Sequence, residues 1–267
     1  MSWLKRPVKG LLLDISGVLR DGDHVIPGSL EAVQRLQASG IPFRLVTNET
    51  QVTVEKTVEK LTKLGFTGIC PSSIFAPAPA VAAHLRENSL RGYLLVHPNV
   101  LPQFEGVETT EPNCVVVGDA AEHFNYERLN QAFRVLLSLR DKEEPMRLFS
   151  LGKGRYYKEE DGLCLDLGPF TAALEYATGA QAQIFGKPNA TFFQAALKDL
   201  SLSPEEVVMI GDDIVGDVGG AQGAGLRGVL VRTGKFRASD ENHDTVKPDA
   251  IVDNLSQAVE LIMNQNL

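Results

Sequence analysis

The stretch Gly10-Leu11-Leu12-Leu13-Asp14-Ile15-Ser16-Gly17-Val18-Leu19 constrains the fold more than any other part of the chain. Three consecutive leucines leave no polar face. A strand formed here has to be covered on both sides, as in a parallel sheet with helices packed on either face. The run ends on Asp14, which puts a carboxylate at the C-terminal tip of the strand, in the crevice where open α/β sheets hold ligands. Gly17 then permits a tight exit turn. Taken alone, the stretch fits a strand that ends in a solvated acid equally well, and the rest of the chain has to decide.

Downstream, the pattern alternates. Arg20 to Pro27 reads as a polar loop. A helix follows with Leu30, Val33 and Leu36 on one face and Gly40 at its end, then the strand Ile41–Val46 with the polar tip Thr47-Asn48-Glu49. A second helix carries Val54, Val58, Leu61 and Leu64 and closes at Gly65. Strand, helix, strand, helix with short links is the pattern of a doubly wound sheet.

From Ala76 the texture changes. Ala76-Pro77-Ala78-Pro79-Ala80 reads as a boundary or hinge, followed by strand-like runs at 93–97, 114–118 and 147–151 and helices near 123–139 and 169–178. Near Gln181 the first texture returns. Gly186-Lys187-Pro188 precedes a helix capped by Asn189, Val207–Ile210 runs into Gly211-Asp212-Asp213, and strands near 228–231 and 249–252 and a closing helix complete the sheet. The simplest partition is a doubly wound, Rossmann-like parallel-sheet core formed by residues 1–76 and 182–267, with a second α/β unit inserted at 77–181.

The composition is that of an ordinary soluble protein, with 43% hydrophobic and 22% charged residues. With 26 basic against 34 acidic residues the net charge is −8, which disfavours nucleic acid or an anionic membrane as a partner. An anionic substrate therefore needs local cations or backbone donors. Three cysteines without C-x-x-C spacing suggest neither a disulfide framework nor a zinc site, and a reducing compartment fits them best. The first residues carry no apolar signal-like run and no window approaches membrane-spanning length, so a cytoplasmic protein, with the nucleus also open to it, is expected.

Four expected strand tips contribute Asp14, Thr47-Asn48, Lys187 and Asp212-Asp213. In a parallel sheet the tips share one edge, so these groups can converge. Two or three carboxylates in a hard oxygen environment suit Mg²⁺ with waters and a phosphate oxygen. A hydroxyl, an amide and an ammonium can hold the remaining phosphate oxygens. An aspartate can attack phosphorus and divide hydrolysis into two steps. Each element alone has an ordinary reading: turn residues at Thr47 and Asn48, a solvated Lys187, a helix cap at Asp212 or Asp213.

Taken in order, Asp14-Ile15-Ser16-Gly17-Val18-Leu19, Thr47-Asn48, Lys187-Pro188 and Gly211-Asp212-Asp213 with Asp217 resemble the four motifs of the haloacid dehalogenase superfamily of phosphatases. The insert resembles that superfamily's α/β cap domain. The resemblance implies that Asp14 is the nucleophile and a metal ligand, and that the Ser16 carbonyl, Asp212 and Asp213 complete a Mg²⁺ site, Asp213 directly or through water. It also implies that Thr47 and Asn48 grip the phosphoryl group, that Lys187 neutralises its charge, and that Asp217 positions Lys187.

More narrowly, Leu13 to Leu19, Gly152-Lys153-Gly154-Arg155-Tyr156-Tyr157-Lys158 and Met209 to Ala221 are similar to those superfamily members that cleave phosphoramidates and diphosphate. That similarity implies P–N substrates (phosphohistidine, phospholysine, imidodiphosphate) or inorganic diphosphate, with phosphohistidine protein as a further partner, and a homodimer. Phosphate esters of small molecules are the alternative substrates, and a weak phosphate-binding protein the alternative class.

One position departs from the superfamily pattern. The second acid, two residues after the nucleophile, is replaced by Ser16, which cannot titrate near neutral pH. General acid help, worth about 10² to 10⁴ in rate, is then missing or supplied elsewhere. Alcohol esters depend on that proton most, whereas imidazole, a protonated amine or phosphate leaves more easily. His24 reads as an exposed turn residue rather than a substitute acid. The Lys153–Lys158 loop fits a lid over an anionic substrate or a solvated hairpin equally well. Gly219–Gly225 reads as a packing turn or short helix, because no strand leads into it as a dinucleotide fingerprint needs.

Overall fold

The computed structural model describes residues 2–159 and 162–265. In chain order the elements are β1 (Gly10–Asp14), β2 (Arg20–Asp21), β3 (His24–Val25), α1 (Ser29–Ser39), β4 (Phe43–Val46), α2 (Val54–Lys63) and β5 (Ile74–Phe75). Then come α3 (Pro77–Glu87), β6 (Gly92–Leu95), β7 (Cys114–Val117), α4 (Tyr126–Asp141), β8 (Leu148–Ser150), β9 (Tyr156–Glu159), β10 (Gly162–Leu165), α5 (Leu167–Thr178) and β11 (Ala182–Ile184). The chain closes with α6 (Ala190–Leu200), β12 (Val207–Gly211), α7 (Gly220–Gly223), β13 (Arg227–Val231), β14 (Ala250–Val252) and α8 (Leu255–Gln265).

The chain forms two compact units. The first comprises Met1–Thr47, Glu55–Phe75 and Lys187–Leu267, the second Asn48–Val54 and Ala76–Gly186. In the first unit, six parallel strands run in the order β14-β13-β12-β1-β4-β5. The chain leaves β1 toward β4 on one side and continues through β12 and β13 on the other. The order therefore reverses beside β1, the point at which doubly wound sheets bind ligands. Leu11, Leu12 and Leu13 have no exposed surface, as a strand covered on both faces requires. Leu12 packs in one cluster with Met209 of β12 and with Phe193 and Leu197 of α6. Truncating such a leucine to alanine costs about 2–5 kcal/mol, so this cluster holds the two central strands in register.

The second unit is a four-stranded parallel sheet in the order β11-β8-β7-β6, plus the antiparallel pair β9–β10. The period-two alternation of β7 decides its packing. Val116 lies in one cluster with Val81 and Leu85 of α3, while Val115 and Val117 lie in another with Leu136 of α4 and Leu174 of α5.

The second unit resumes at Ala76, within the segment read as a boundary or hinge, and Pro77 and Pro79 lie in the first turn of α3, where no amide donor is needed. Two local expectations change. Arg20 to Pro27 is a hairpin of two-residue strands rather than a loop, turned by Gly22. Ala182–Ile184, expected at the start of the returning core, instead pairs with β8 in the second sheet, and the first unit resumes at Lys187. A three-residue strand carries no mark of which sheet it joins, because its pairing is set by residues some thirty positions away. The Lys153–Lys158 segment leads into the β9–β10 hairpin, with Tyr157 half-buried and Tyr156 exposed. Glu160, Asp161 and the side chain of Lys158 lie outside the described residues.

Candidate active site

Asp14 is the last residue of β1, and Asp212 directly follows β12, its hydrogen-bonded neighbour. Adjacent parallel strands thus deliver two carboxylates to one edge. Asp217 comes from the helical turn Ile214–Gly219 that follows. One carboxylate oxygen from each of Asp14, Asp212 and Asp217 lies within 4.8 Å of the others, and all three residues are buried. Lys187 opens the last segment of the unit. Its Nζ stands 2.7 Å from Asp14 Oδ1 and 2.7 Å from Asp217 Oδ1, and donates to the Val46 carbonyl at 3.2 Å.

The electrostatics follow from burial. It works against the charge of Lys187, but Asp14 and Asp217 outweigh it and hold the ammonium above the ordinary lysine range. Burial, with Asp14 and Asp217 as like-charged neighbours, pushes Asp212 well up. Asp217 is raised to about 7, chiefly by burial and against the pull of Lys187. Full ionisation of the three carboxylates beside one buried ammonium would leave an excess of two negative charges, which with burial is why Asp212 and Asp217 hold their protons more tightly and which a divalent cation would balance.

The placement of Asp212 is the most constrained feature of the site. Its Oδ2 accepts the Lys235 amide hydrogen at 2.7 Å and passes between two glycines in the left-handed region, Gly17 (φ 84) and Gly234 (φ 61). A Cβ at either would lie 2.0 or 2.1 Å from that oxygen. Oδ1 of the same carboxylate is buried without a hydrogen-bond partner among the described residues. An orphaned buried acceptor beside two further carboxylates is a donor set that fits Mg²⁺.

In the turn after Asp14, the Ile15 carbonyl accepts from Leu19 and Arg20, and the Gly17 carbonyl accepts from the Thr233 hydroxyl. The Ser16 carbonyl takes none of these turn bonds, and the Ser16 side chain is exposed. Thr47, at the tip of β4, is buried, its amide bonded to the Phe75 carbonyl at 3.0 Å. Asn48, the next residue, begins the second unit.

Asp213 stands outside the trio. Its Oδ1 accepts the amide hydrogens of Val215 and Gly216 as a helix cap, and its Oδ2 lies 3.5 Å from Lys235 Nζ. Burial opposes its charge, yet Lys235 and these amides hold its carboxyl below the usual range. The Thr233-Gly234-Lys235 turn is absent from the motif reading. It follows β13 on the same sheet edge, a position that would have flagged it as a further strand tip.

With this geometry in place, comparison with known proteins fixes the family. A family model described as haloacid dehalogenase-like hydrolase matches residues 11–110, and a second, described as HAD-hydrolase-like, matches residues 184–258. The phospholysine phosphohistidine inorganic pyrophosphate phosphatase of Danio rerio is 55% identical over 262 residues, covering 97% of this chain and 95% of its own. The chain belongs to the haloacid dehalogenase-like hydrolases. Within that family it is a phosphatase.

The human protein of the same name is 52% identical, with 98% and 97% coverage. Haloacid dehalogenase-like hydrolase domain-containing protein 2 of Bos taurus is 44% identical, with 98% and 99% coverage. Among solved structures, the 4-nitrophenylphosphatase of Thermotoga maritima superposes with a TM-score of 0.87 at 26% identity, covering 98% of this chain and 99% of that one. NagD of E. coli shares the fold, with a TM-score of 0.81 at 22% identity over 94% and 98% of the two chains. Like other members of the family, this hydrolase has a parallel α/β core, and among its described residues no helix is long and apolar enough to cross a membrane.

Proposed function

We propose that this hydrolase is a Mg²⁺-dependent phosphatase that works through an aspartyl-phosphate on Asp14 and acts on P–N bonds and inorganic diphosphate. The observation that carries the reading is the convergence of Asp14, Asp212 and Asp217 on one buried point, with Lys187 bridging two of them. In this reading Asp14, Asp212 and the Ser16 carbonyl hold the ion, with Asp213 reaching it through water because its side chain is committed to its helix cap. When bound there, Mg²⁺ would supply positive charge for the phosphoryl oxygens.

The protein's own residues perform the rest. Asp14 Oδ attacks phosphorus, the bond from phosphorus to the leaving nitrogen or oxygen breaks, and the phosphoryl group passes to the carboxylate. Water then cleaves the acyl phosphate, releasing phosphate and restoring Asp14. Lys187, held charged by its two carboxylates, offsets the negative charge that builds on the phosphoryl oxygens, and Thr47 and Asn48 grip it. Asp217 fixes the Lys187 ammonium through its Oδ1, 2.7 Å from Nζ. Ser16 offers no proton at the position where the superfamily pattern has an acid. That biases the site toward leaving groups that need none from the enzyme: protonated amine or imidazole nitrogen, or phosphate. The names of the 49–55% identical relatives support the same substrates.

An ester phosphatase is the second reading, favoured by the likeness to the Thermotoga 4-nitrophenylphosphatase. The reading also includes a homodimer, from the narrower resemblance, and a reducing compartment, cytoplasm or nucleus, supported by three cysteines that are all unpaired. Phosphate release from phosphohistidine, phospholysine, diphosphate and a panel of esters, on one preparation with and without Mg²⁺, tests it. Faster turnover of esters than of all three P–N and diphosphate substrates would overturn the substrate assignment.

A further inference from the structure

A different set of ligating side chains belongs to the second unit alone. His97 lies two residues beyond β6, and Glu122 and His123 lie in the connection from β7 to α4. β6 and β7 are parallel partners, with Leu95 opposite Val117, so both connections leave from the same carboxyl edge of that sheet. A carboxylate oxygen of Glu122 and one ring nitrogen each of His97 and His123 lie within 4.8 Å of one another. The imidazole centroids are 5.6 Å apart at 73°, and Glu122 Oε1 is 3.5 Å from His123 Nε2. Both imidazoles are half-buried.

The backbone that carries the pair is held from several directions. Ala121, with φ at 46, donates its amide hydrogen to Asp119 Oδ1 at 3.0 Å, and the His123 amide donates to the Ala120 carbonyl at 2.8 Å. Asp119 is in turn fixed by its own amide, which donates to Thr50 Oγ1 at 3.0 Å, and by Gln51 Nε2, which donates to its Oδ2 at 2.7 Å. His123 is thus presented from a pinned turn, and the His97 carbonyl accepts the Val100 amide hydrogen at 3.1 Å.

We propose that His97, Glu122 and His123 form a site for a zinc-class transition-metal ion, separate in ligand chemistry from the all-carboxylate centre of the first unit. Two imidazoles and one carboxylate suit Zn²⁺, Co²⁺ or Ni²⁺, whereas Mg²⁺ selects oxygen donors. Three protein ligands leave a fourth tetrahedral position for water. Binding has one local cost. The Asn99 amide donates to His97 Nδ1 at 3.2 Å. Coordination through Nδ1 displaces that hydrogen bond, and coordination through Nε2 requires the ring proton to move to Nδ1, which also breaks it. In either case the Asn99 amide loses its acceptor when the metal enters.

The test uses the full chain in saturating Mg²⁺. Co²⁺ is titrated by visible absorption and Zn²⁺ by calorimetry, while the Asn99 amide is followed by nuclear magnetic resonance. The expected result is one equivalent of each metal bound, imidazole-type cobalt bands, and a shifted Asn99 amide. His123→Gln is expected to weaken binding at least tenfold. So is His97→Asn, whose short side-chain carbonyl can still accept the amide two residues on and so keep the turn. Circular dichroism melts establish that both variants fold. Metal binding that excess Mg²⁺ abolishes, that both substitutions leave intact, or that does not move the Asn99 amide overturns the proposal.

Discussion

Replacing Gly234 by alanine tests how finely Asp212 is placed. The new Cβ would lie 2.1 Å from Asp212 Oδ2 and 2.4 Å from the Gly17 Cα. Ordinary non-bonded contacts begin above about 3.4 Å, so the carboxylate or the turn has to retreat by about 1 Å. An L-residue at φ 61 adds about 1–2 kcal/mol of backbone strain. That strain is too small to unfold a core of this size, and the main consequence is geometric. A displacement of about 1 Å at a reacting centre costs about 10²-fold in rate. Steady-state phosphate release across a Mg²⁺ titration is therefore expected to show kcat down by about 10²-fold and half-saturation moved to higher Mg²⁺. Urea denaturation should show a loss of only about 1–3 kcal/mol. Gly17→Ala, whose Cβ would lie 2.0 Å from the same oxygen, is expected to behave alike. Wild-type kcat and wild-type Mg²⁺ dependence in Gly234→Ala would refute the argument that Asp212 must sit where it does.

Other predictions follow from the charge balance and from Ser16. Lys187→Ala leaves buried carboxylates uncompensated and is expected to cost about 3–5 kcal/mol in chemical denaturation without divalent cation, and less with Mg²⁺ present; an equal loss in both conditions counts against the charge argument. In the metal-free protein, Asp217 binds its proton more tightly folded than unfolded, because its carboxyl is raised from 3.8 to about 7. Its effect on stability is therefore most favourable below about pH 4 and is lost as pH rises toward 7, by about 4 kcal/mol at most. Urea midpoints between pH 5 and 8 should fall more steeply without Mg²⁺ than with it, and identical slopes would contradict the site's charge excess. Ser16→Asp is expected to raise turnover of alkyl phosphates relative to diphosphate by about 10-fold or more; an unchanged ratio on the same preparation sinks the leaving-group account.

Asp14 and Asp212 were legible in the chain because each sits next to an unmistakable strand. Leu11–Leu13 and Val207–Ile210 are continuous apolar runs, so Asp14 and Asp212 are placed by periodicity alone, and parallel pairing does the rest. What the chain hides is decided across long distances or by single hydrogen bonds. Nothing in Asp212-Asp213 says which carboxylate enters the trio. The amides of Val215 and Gly216 settle that by engaging Asp213 as a cap, while the Lys235 amide turns Asp212 inward. Thr233-Gly234-Lys235 looks like any turn until Gly234 is seen against Asp212. β11 is similarly opaque, because its partner β8 lies in a remote stretch of sequence. The His97, Glu122 and His123 cluster has no recognisable spacing, since it depends on β6 and β7 lying side by side.

The most direct measurement is a single-turnover rapid quench of radiolabelled diphosphate with enzyme in excess and Mg²⁺ present. The account predicts label that remains on the protein in acid, is released by hydroxylamine as an acyl phosphate should be, maps to the peptide containing Asp14, and is absent from Asp14→Asn, which also fails to turn over. Turnover without any protein-bound label, or full activity in Asp14→Asn, would contradict it.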